Sequence, residues 1–182
     1  MAHIDLGFDE KTAPGIVGLL RYRPATGGPL AALADALLRA PNSLSRGERE
    51  LIAAQVSALN GCAFCRDSHS AVAAAQLEPG MAVVEQVRAD PSTAPISAKL
   101  RALLAIADAV RESGHAVTPA LVAGAREAGA TDVEIHDTVL IAAAFCMFNR
   151  YVDGLGTFTP DDPAAHAASA QRIVEFGYSV RP

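Results

Sequence analysis

Apolar residues recur at helical spacing over most of the chain, and short polar or turn-forming stretches separate the periodic segments. Leu30, Leu33, Leu37 and Leu38, for example, share one face of a helix that stops before Pro41. No segment shows the period-two alternation with β-branched residues that is typical of a strand. The pattern predicts helices at about 29–39, 45–59, 62–78, 80–89, 97–112 and 164–175, and two more that begin after 118 and after 131. The predicted fold class is all-α, a single-domain helical bundle.

Three of these helices begin at recognisable capping residues. The signals are two capping boxes, Ser45 with Glu48 and Thr131 with Glu134, and an N-cap followed by proline, Thr118–Pro119. Such residues satisfy the free backbone amides of a first helical turn, so they predict where a helix starts.

Residues 1–28 hold several prolines and glycines around a short apolar piece, Ile16 to Leu20. We predict an N-terminal arm over 1–28, with one or two helical turns, and one helical domain over 29–182. The helix after Thr131 is the most apolar, and its run from Val139 to Phe148 predicts burial on most of its circumference. That burial lies either in the domain centre or between subunits, and we expect a homo-oligomer.

Composition favours the same fold and excludes some partners. Hydrophobic residues make up 51% of the 182 residues while aromatic residues make up only 5%, and this composition favours closely packed helices. The net charge is -5 and no basic tract is present, so we expect no nucleic-acid partner. No apolar stretch reaches the length of a membrane span, and no basic segment precedes an apolar run at the N-terminus. We therefore expect no membrane partner and a cytoplasmic location.

Cys62, Cys65 and His69 are the residues with the clearest chemistry. Successive residues of a helix turn by about 100°, so all three lie within one narrow arc if this segment is helical. Cysteines at this spacing can close a disulfide when the first lies in the opening turn, and His69 lies one turn beyond Cys65. The Asn60-Gly61 break would supply a helix N-terminus, whose free amides stabilise a thiolate. His69 can act as a base on a thiol or as a proton donor to a peroxide oxygen.

A metal site is another interpretation of these residues. The string C-x-x-C-x-x-x-H offers three zinc ligands, and Cys146 or His136 could supply a fourth. A large apolar helical core does not need a metal to fold, so we expect neither a metal nor a cofactor.

Cys146 lies inside the apolar run and is interpreted as a small buried hydrophobic residue. Glu50, on spacing alone, is interpreted as a solvated charge near a helix start.

The segment from Arg49 to His69 resembles the carboxymuconolactone decarboxylase and alkylhydroperoxidase D superfamily, and it is most similar to the peroxidase-related branch. The matching runs are Arg49-Glu50-Leu51-Ile52-Ala53-Ala54, Val56-Ser57 and Asn60-Gly61-Cys62-Ala63-Phe64-Cys65. The family's redox motif is a Glu twelve residues before a C-x-x-C and a His four residues after it. Glu50, Cys62, Cys65 and His69 fill these four positions. The similarity continues upstream at 37–41 and downstream at 148–156.

The resemblance implies an all-helical fold of the alkylhydroperoxidase D-like type that forms homo-oligomers. It also implies a thiol-dependent peroxidase whose catalytic residues are Glu50, Cys62, Cys65 and His69, re-reduced by a dithiol donor such as a lipoyl group or a thioredoxin-like protein. True lactone decarboxylases of the family lack the cysteine pair. Mycobacterial-type members have an additional His where this chain has Phe64.

The leading hypothesis is therefore an antioxidant enzyme that reduces hydroperoxides. The alternatives are a sensing protein whose dithiol only switches redox state, and a decarboxylase-like enzyme acting on a small carbonyl substrate. The helix N-terminus favours Cys62 as the cysteine that meets the peroxide, whereas His69 and the resemblance favour Cys65. We assign Cys65 as peroxidatic and Cys62 as resolving, a task that a more exposed Cys62 would suit. Asn149 and Arg150 either line the site or cap a helix.

Overall fold

Helices account for all the regular structure that the computed structural model describes, which is residues 1–179. No strand forms within these residues, so the predicted all-α class is confirmed. The helices are α1 Ile16–Tyr22, α2 Pro24–Arg39, α3 Arg46–Leu59, α4 Ala63–Ala74, α5 Met81–Ala89, α6 Ala98–Glu112, α7 Pro119–Glu127, α8 Asp132–Gly154 and α9 Pro163–Phe176. The last three residues of the predicted domain lie outside the described part.

The predicted helix starts agree with the structure wherever a capping residue marked them. The side chain of Glu48 accepts from the backbone N–H of Ser45 at 2.7 Å, and Ser45 Oγ accepts from the N–H of Glu48 at 3.1 Å. Thr131 and Glu134 form the same reciprocal pair at the start of α8. Thr118 accepts from the third residue of α7. Capping acts between residues close in sequence, so it does not depend on how the rest of the chain packs.

The predicted helix start at residue 29 is wrong, because α2 begins at Pro24 and continues through that position. Pro24 stands at the first helical position, where its fixed φ favours the helix and its missing N–H costs nothing. Gly27 lets α2 approach α1 closely, since a Cβ there would lie 2.2 Å from the carbonyl oxygen of Leu20. The glycines that predicted a loop therefore serve helix packing.

Helix α3 lies at the centre of the bundle and packs against α4, α6 and α8. Leu51, Ile52 and Val56 are fully buried, and every residue from Arg49 to Ser57 is buried. A central helix must satisfy its polar groups within the protein. Nη1 of Arg49 donates to the carbonyl of Leu37 at 2.9 Å. Glu50 is also on this buried stretch, and its partners belong to the candidate site.

The long helix α8 has one buried and one exposed apolar face. Phe145 and Phe148 are in the core, whereas Leu140, Met147 and Val133 are 41%, 44% and 63% exposed. The predicted burial in the domain centre thus applies to one side of the helix only. Neither α8 nor any other helix in residues 1–179 is long and apolar enough to cross a membrane.

Glu134 anchors the first turn of α8 and is 1% exposed. Lys99 Nζ and Ser43 Oγ donate to its Oε1 at 2.7 and 2.9 Å, and the N–H of Thr131 donates to Oε2 at 2.8 Å. Burial alone would raise the pKa of this carboxyl, but these hydrogen bonds outweigh it and lower the pKa to about 2.

The chain beyond α9 lies against α2. The backbone N–H groups of Tyr178 and Ser179 donate to the two carboxylate oxygens of Asp35 at 2.8 and 2.9 Å. Arg39, one turn later on α2, donates to two carbonyls near the end of α9. This attachment brings Tyr178 over the segment that carries the cysteines.

Candidate active site around the dithiol

The connection between α3 and α4 sets the position of the cysteines. Gly61 has φ +75°, and the N–H groups of Gly61 and Cys62 donate back to the carbonyls of Ala58 and Ser57 at 3.0 and 3.1 Å. This is the Schellman arrangement, which ends a helix and needs a left-handed residue, usually glycine. The chain then reverses along α3, with Cys62 as the N-cap of α4. The predicted start of α4 is confirmed to within one residue.

Cys62 and Cys65 are both free thiols and both buried, at 0% and 3% exposure. Cys65 is the third residue of α4, so both cysteines lie in its opening turn. The expectation that Cys62 is the more exposed of the two is wrong. The Schellman turn folds Cys62 inward, where it packs with Phe64 and Val152.

The two thiols differ in acidity because they share one hydrogen bond. The thiol of Cys62 donates to the sulfur of Cys65, which holds the pKa of Cys65 below its usual value against the effect of burial. A positive charge on His69 and the side chain of Asn149 lower the pKa of Cys65 further. Donating this bond, together with burial, raises the pKa of Cys62, and the side chain of Asp153 acts in the same direction. Cys65 is therefore the better thiolate.

Glu50 and His69 form a buried pair beside the thiols. His69 Nδ1 lies 2.7 Å from Glu50 Oε2, and Glu50 is 1% exposed. This contact places the hydrogen of a neutral imidazole on Nδ1 and leaves Nε2 as the second, exchangeable nitrogen. The interpretation of Glu50 as a solvated charge is wrong, because the first turn of α3 ends before it and α4 covers it.

Tyr178 completes this cluster from the end of the chain. Its hydroxyl donates to Glu50 Oε1 at 2.6 Å and lies 3.3 Å from His69 Nδ1. Burial and the neighbouring Glu50 carboxylate raise the pKa of Tyr178 well above its usual value, so the hydroxyl stays protonated. The imidazole ring stacks on Tyr178 at 5.7 Å and meets the edge of Phe145 at 4.6 Å.

Asn149 lines the site, whereas Arg150 does not. Asn149 Nδ2 donates to Ser57 Oγ at 3.0 Å, and its Oδ1 accepts from Asn60 Nδ2 at 2.8 Å. The same side chain contributes to the acidity of Cys65. Arg150 is exposed and donates to the carbonyl of Cys146 at 2.9 Å, one turn earlier in α8.

A small cleft of about 70 Å³ reaches Cys65 and His69. Its walls come from the side chains of α1, α2, α8 and α9 and are mostly apolar. They include Ile16, Leu20, Leu30, Ala34, Phe145, Phe148 and Ile173, and Arg172 adds a positively charged side chain. The segment predicted as an N-terminal arm thus forms one wall of the site.

Phe64 occupies the position of the family's additional His. Its ring is 7% exposed and packs on Gly15, where a Cβ would lie 2.3 Å from the ring. Gly15 has φ +59°, so both its conformation and its contact require glycine. Phe64 therefore attaches the N-terminal segment to α4 and supplies no proton.

The other candidate ligands lie apart from the dithiol. His136 is exposed and pairs with Asp137 at 2.8 Å, and Cys146 is half-buried against the main core, with Asn60 Nδ2 at 3.6 Å from its sulfur. In the part of the chain that the structure describes, no group of three or more His, Cys, Asp or Glu side chains is arranged to hold a metal ion.

Sequence reasoning missed Tyr178, Asp35 and the role of Asn149. Tyr178 follows Glu50 by 128 residues, and no spacing relates it to the motif. Asn149 carried a weak signal, because it belongs to the downstream segment that resembles the family.

Comparisons with known proteins agree on the family. The model of the carboxymuconolactone decarboxylase family matches residues 24–79, which include all four motif residues. A peroxidase-related protein from Ralstonia eutropha, described as an alkylhydroperoxidase AhpD core, shares 30% identity and a TM-score of 0.75. That match covers 85% of this chain and 82% of the other. No curated protein matches the chain significantly.

Two more distant structures share the fold. A peroxidase-related protein from a Silicibacter species has 22% identity and a TM-score of 0.74, covering 84% of this chain and 81% of its own. An Agrobacterium tumefaciens protein of unknown function, described as a candidate antioxidant-defence protein, has 21% identity and a TM-score of 0.69, covering 81% and 99%. With the Ralstonia protein and the family model, the conclusion is direct: this chain belongs to the carboxymuconolactone decarboxylase and alkylhydroperoxidase D-like superfamily.

Proposed function

We propose that this protein is a thiol-dependent peroxidase that reduces hydroperoxides through Cys62 and Cys65. One observation carries the proposal: two buried free cysteines share the opening turn of α4, and Cys65 lines the same cleft as His69, which is hydrogen-bonded to Glu50. A thiolate is the nucleophile in such chemistry, and a carboxylate–imidazole pair is the usual means of moving its proton. The Ralstonia relative, described as peroxidase-related, is consistent with this activity.

In the first step the Cys65 thiolate attacks the terminal oxygen of the hydroperoxide. A sulfur–oxygen bond forms and the oxygen–oxygen bond breaks, so the sulfur is oxidised to a sulfenic acid and the peroxide is reduced to an alcohol. The departing alkoxide takes a proton from Nε2 of protonated His69. Glu50, 2.7 Å from Nδ1, stabilises the positive imidazolium before this transfer.

In the second step the sulfur of Cys62 attacks the sulfenic acid of Cys65. A disulfide forms, and the released hydroxide leaves as water with the proton of the Cys62 thiol. The reach is short, because both cysteines lie in the opening turn of α4. A dithiol donor, lipoyl or thioredoxin-like, then reduces the disulfide through a mixed disulfide, and Cys65 returns its proton to His69.

The cleft favours organic hydroperoxides over hydrogen peroxide. Apolar side chains of α1, α2 and α8 form most of its walls, and they would contact the alkyl part of a substrate whose peroxide group reaches Cys65. Hydrogen peroxide offers no apolar surface for these walls to bury.

A second copy of this chain is the proposed partner. Val133, Leu140 and Met147 lie seven residues apart along one side of α8 and are all exposed. An apolar stripe with this spacing is typical of a helix that packs against another helix. The proposed assembly is a homo-oligomer that covers this stripe.

Steady-state turnover tests the peroxidase proposal. The purified protein is mixed with cumene hydroperoxide and either dihydrolipoamide or reduced thioredoxin, and peroxide loss is followed. We expect turnover that is abolished in Cys65→Ser and retained in Cys146→Ser, the matched control with a third cysteine outside the site. Disulfide formation without turnover would favour the redox switch, and absence of both would contradict the proposal.

A further inference from the structure

The carboxylate of Glu50 has two hydrogen-bond partners, and only one of them belongs to the motif. His69 Nδ1 contacts Oε2 at 2.7 Å, while the hydroxyl of Tyr178 donates to Oε1 at 2.6 Å. We infer that Tyr178 is a positioning residue, which holds Glu50 and His69 in the orientation needed for proton transfer at Cys65. The inference rests on the proposed peroxidase function and adds a residue from the opposite end of the chain.

The need for a second partner follows from the geometry of a glutamate. The terminal torsion of a Glu side chain has broad energy wells, so one hydrogen bond leaves the carboxylate free to rotate. Donors on both oxygens fix that torsion. The ring of Tyr178 also stacks on the imidazole at 25° between planes, and Phe145 makes a T-shaped contact with the same imidazole. Two aromatic rings therefore restrict the orientation of the imidazole.

The groups around Tyr178 keep its hydroxyl protonated, so the hydroxyl remains a hydrogen-bond donor. Glu50 of α3, His69 of α4, and Asp35 and Arg39 of α2 are the titratable groups that face it. Burial next to the Glu50 carboxylate favours the neutral phenol, so Tyr178 supplies a hydrogen bond and exchanges no proton. This separates its role from that of His69.

The attachment of the C-terminal segment to α2 is what sets the register of Tyr178. Asp35 accepts from the N–H groups of Tyr178 and Ser179, and Gly177 has φ +90° just before them. A Cβ at Gly177 would lie 2.6 Å from Asp35 Oδ1, so only glycine allows this approach. The backbone of Gly177, Tyr178 and Ser179 thus positions the hydroxyl of Tyr178 at Glu50.

Tyr178→Phe tests the inference, because it removes the hydroxyl and keeps the stacked ring. Tyr22→Phe, at an exposed site 50% accessible, is the matched control. We expect kcat/KM for cumene hydroperoxide to fall about tenfold in Tyr178→Phe, the rate equivalent of one hydrogen bond to a charged group. Tyr178→Phe should stay folded, with a melting temperature a few degrees lower because one buried hydrogen bond is lost. The Tyr22→Phe rate should stay close to wild type.

A double variant separates positioning through Glu50 from a merely structural effect. If Tyr178 acts through the carboxylate, the combined loss in Glu50→Gln with Tyr178→Phe should be smaller than the product of the two single losses, because Glu50→Gln has already removed the charged hydrogen bond. Rates that multiply, or an unchanged rate in Tyr178→Phe, would overturn the inference.

A second readout does not depend on peroxidase activity. In a Cys62→Ser, Cys146→Ser background, Cys65 is the single thiol, and its alkylation by iodoacetamide reports thiolate at neutral pH. We expect Tyr178→Phe to slow this alkylation several-fold, since a loosened Glu50 gives less support to a charged His69. If wild type fails to turn over peroxide but alkylation slows, the proposed function fails and the positioning role stands. Unchanged or faster alkylation would overturn the positioning role.

Discussion

Replacing Glu50 with Gln isolates the charge of the buried carboxylate from its shape. The amide has the same outline, so its oxygen can still accept from His69 Nδ1, and its NH2 group can face the hydroxyl of Tyr178, which turns to accept. Both contacts at 2.6 and 2.7 Å are retained in a neutral form. The fold should therefore remain intact while support for a protonated His69 is lost.

The magnitude follows from the two kinds of hydrogen bond. Bonds to a charged group contribute about 1.5–3 kcal/mol and neutral bonds about 1 kcal/mol. Glu50 is 1% exposed, so solvent does not screen the difference. A loss of about 1–2 kcal/mol in the step where His69 carries positive charge corresponds to a rate lower by about 5- to 30-fold.

Single-turnover oxidation of Cys65 by cumene hydroperoxide is the assay, with Glu48→Gln as the matched control. Glu48 lies two residues earlier on α3 and loses the same charge, but its amide can keep the capping bond to Ser45. We expect the slow rate in Glu50→Gln only. A full rate in that variant across pH, or an equal loss in Glu48→Gln, would refute the reasoning.

Four further outcomes follow from the structure. Cys62→Ser treated with hydroperoxide and a sulfenic-acid trap should carry the label on Cys65, and Cys65→Ser should carry none on Cys62; mass spectrometry showing the reverse would overturn the assignment. Light scattering should show an oligomer at micromolar concentration that Leu140→Glu weakens, and a stable wild-type monomer would contradict the proposed interface. Gly61→Ala should lower the free energy of unfolding in urea by about 1–2 kcal/mol, because φ is +75° there, and an unchanged midpoint would contradict this. Glu134 has a folded pKa of about 2 against an ordinary value of 4.5, so its stabilisation is present above pH 4.5 and is lost as the pH falls towards 2. Wild type should then lose up to about 3 kcal/mol more than Glu134→Gln over that range in acid-unfolding measurements, and equal losses would exclude a stabilising role.

Local signals explain which parts of the fold could be predicted. Capping boxes act within four residues, so the starts of α3 and α8 followed from the sequence. The start of α2 did not, because Gly27 looks like a loop residue until the backbone of Leu20 is known to approach it. Such a close contact between helices leaves no periodic trace in either segment.

The candidate site was predictable only where residues share one short stretch of chain. Cys62, Cys65 and His69 lie on one turn-and-helix segment, and Glu50 joined them through the resemblance to a family. Tyr178 reaches the site because the chain returns over α2, and no spacing in the sequence predicts that return. The cytoplasmic location and the identity of the reductant remain predictions from the sequence and the resemblance.

The surroundings of the two cysteines favour one of the two arguments about which of them meets the peroxide. The helix N-terminus favoured Cys62, but both cysteines lie in the opening turn of α4, so its amides separate them little. The neighbouring groups favour Cys65, since Cys62, His69 and Asn149 all lower its pKa. The same bond then orders the two steps. While Cys65 is an anion it accepts from Cys62, and donating to that anion is the largest cause of the raised pKa of Cys62. In the proposed mechanism, oxidation of Cys65 to a sulfenic acid removes the anion, so we expect Cys62 to become a nucleophile only after a peroxide has reacted.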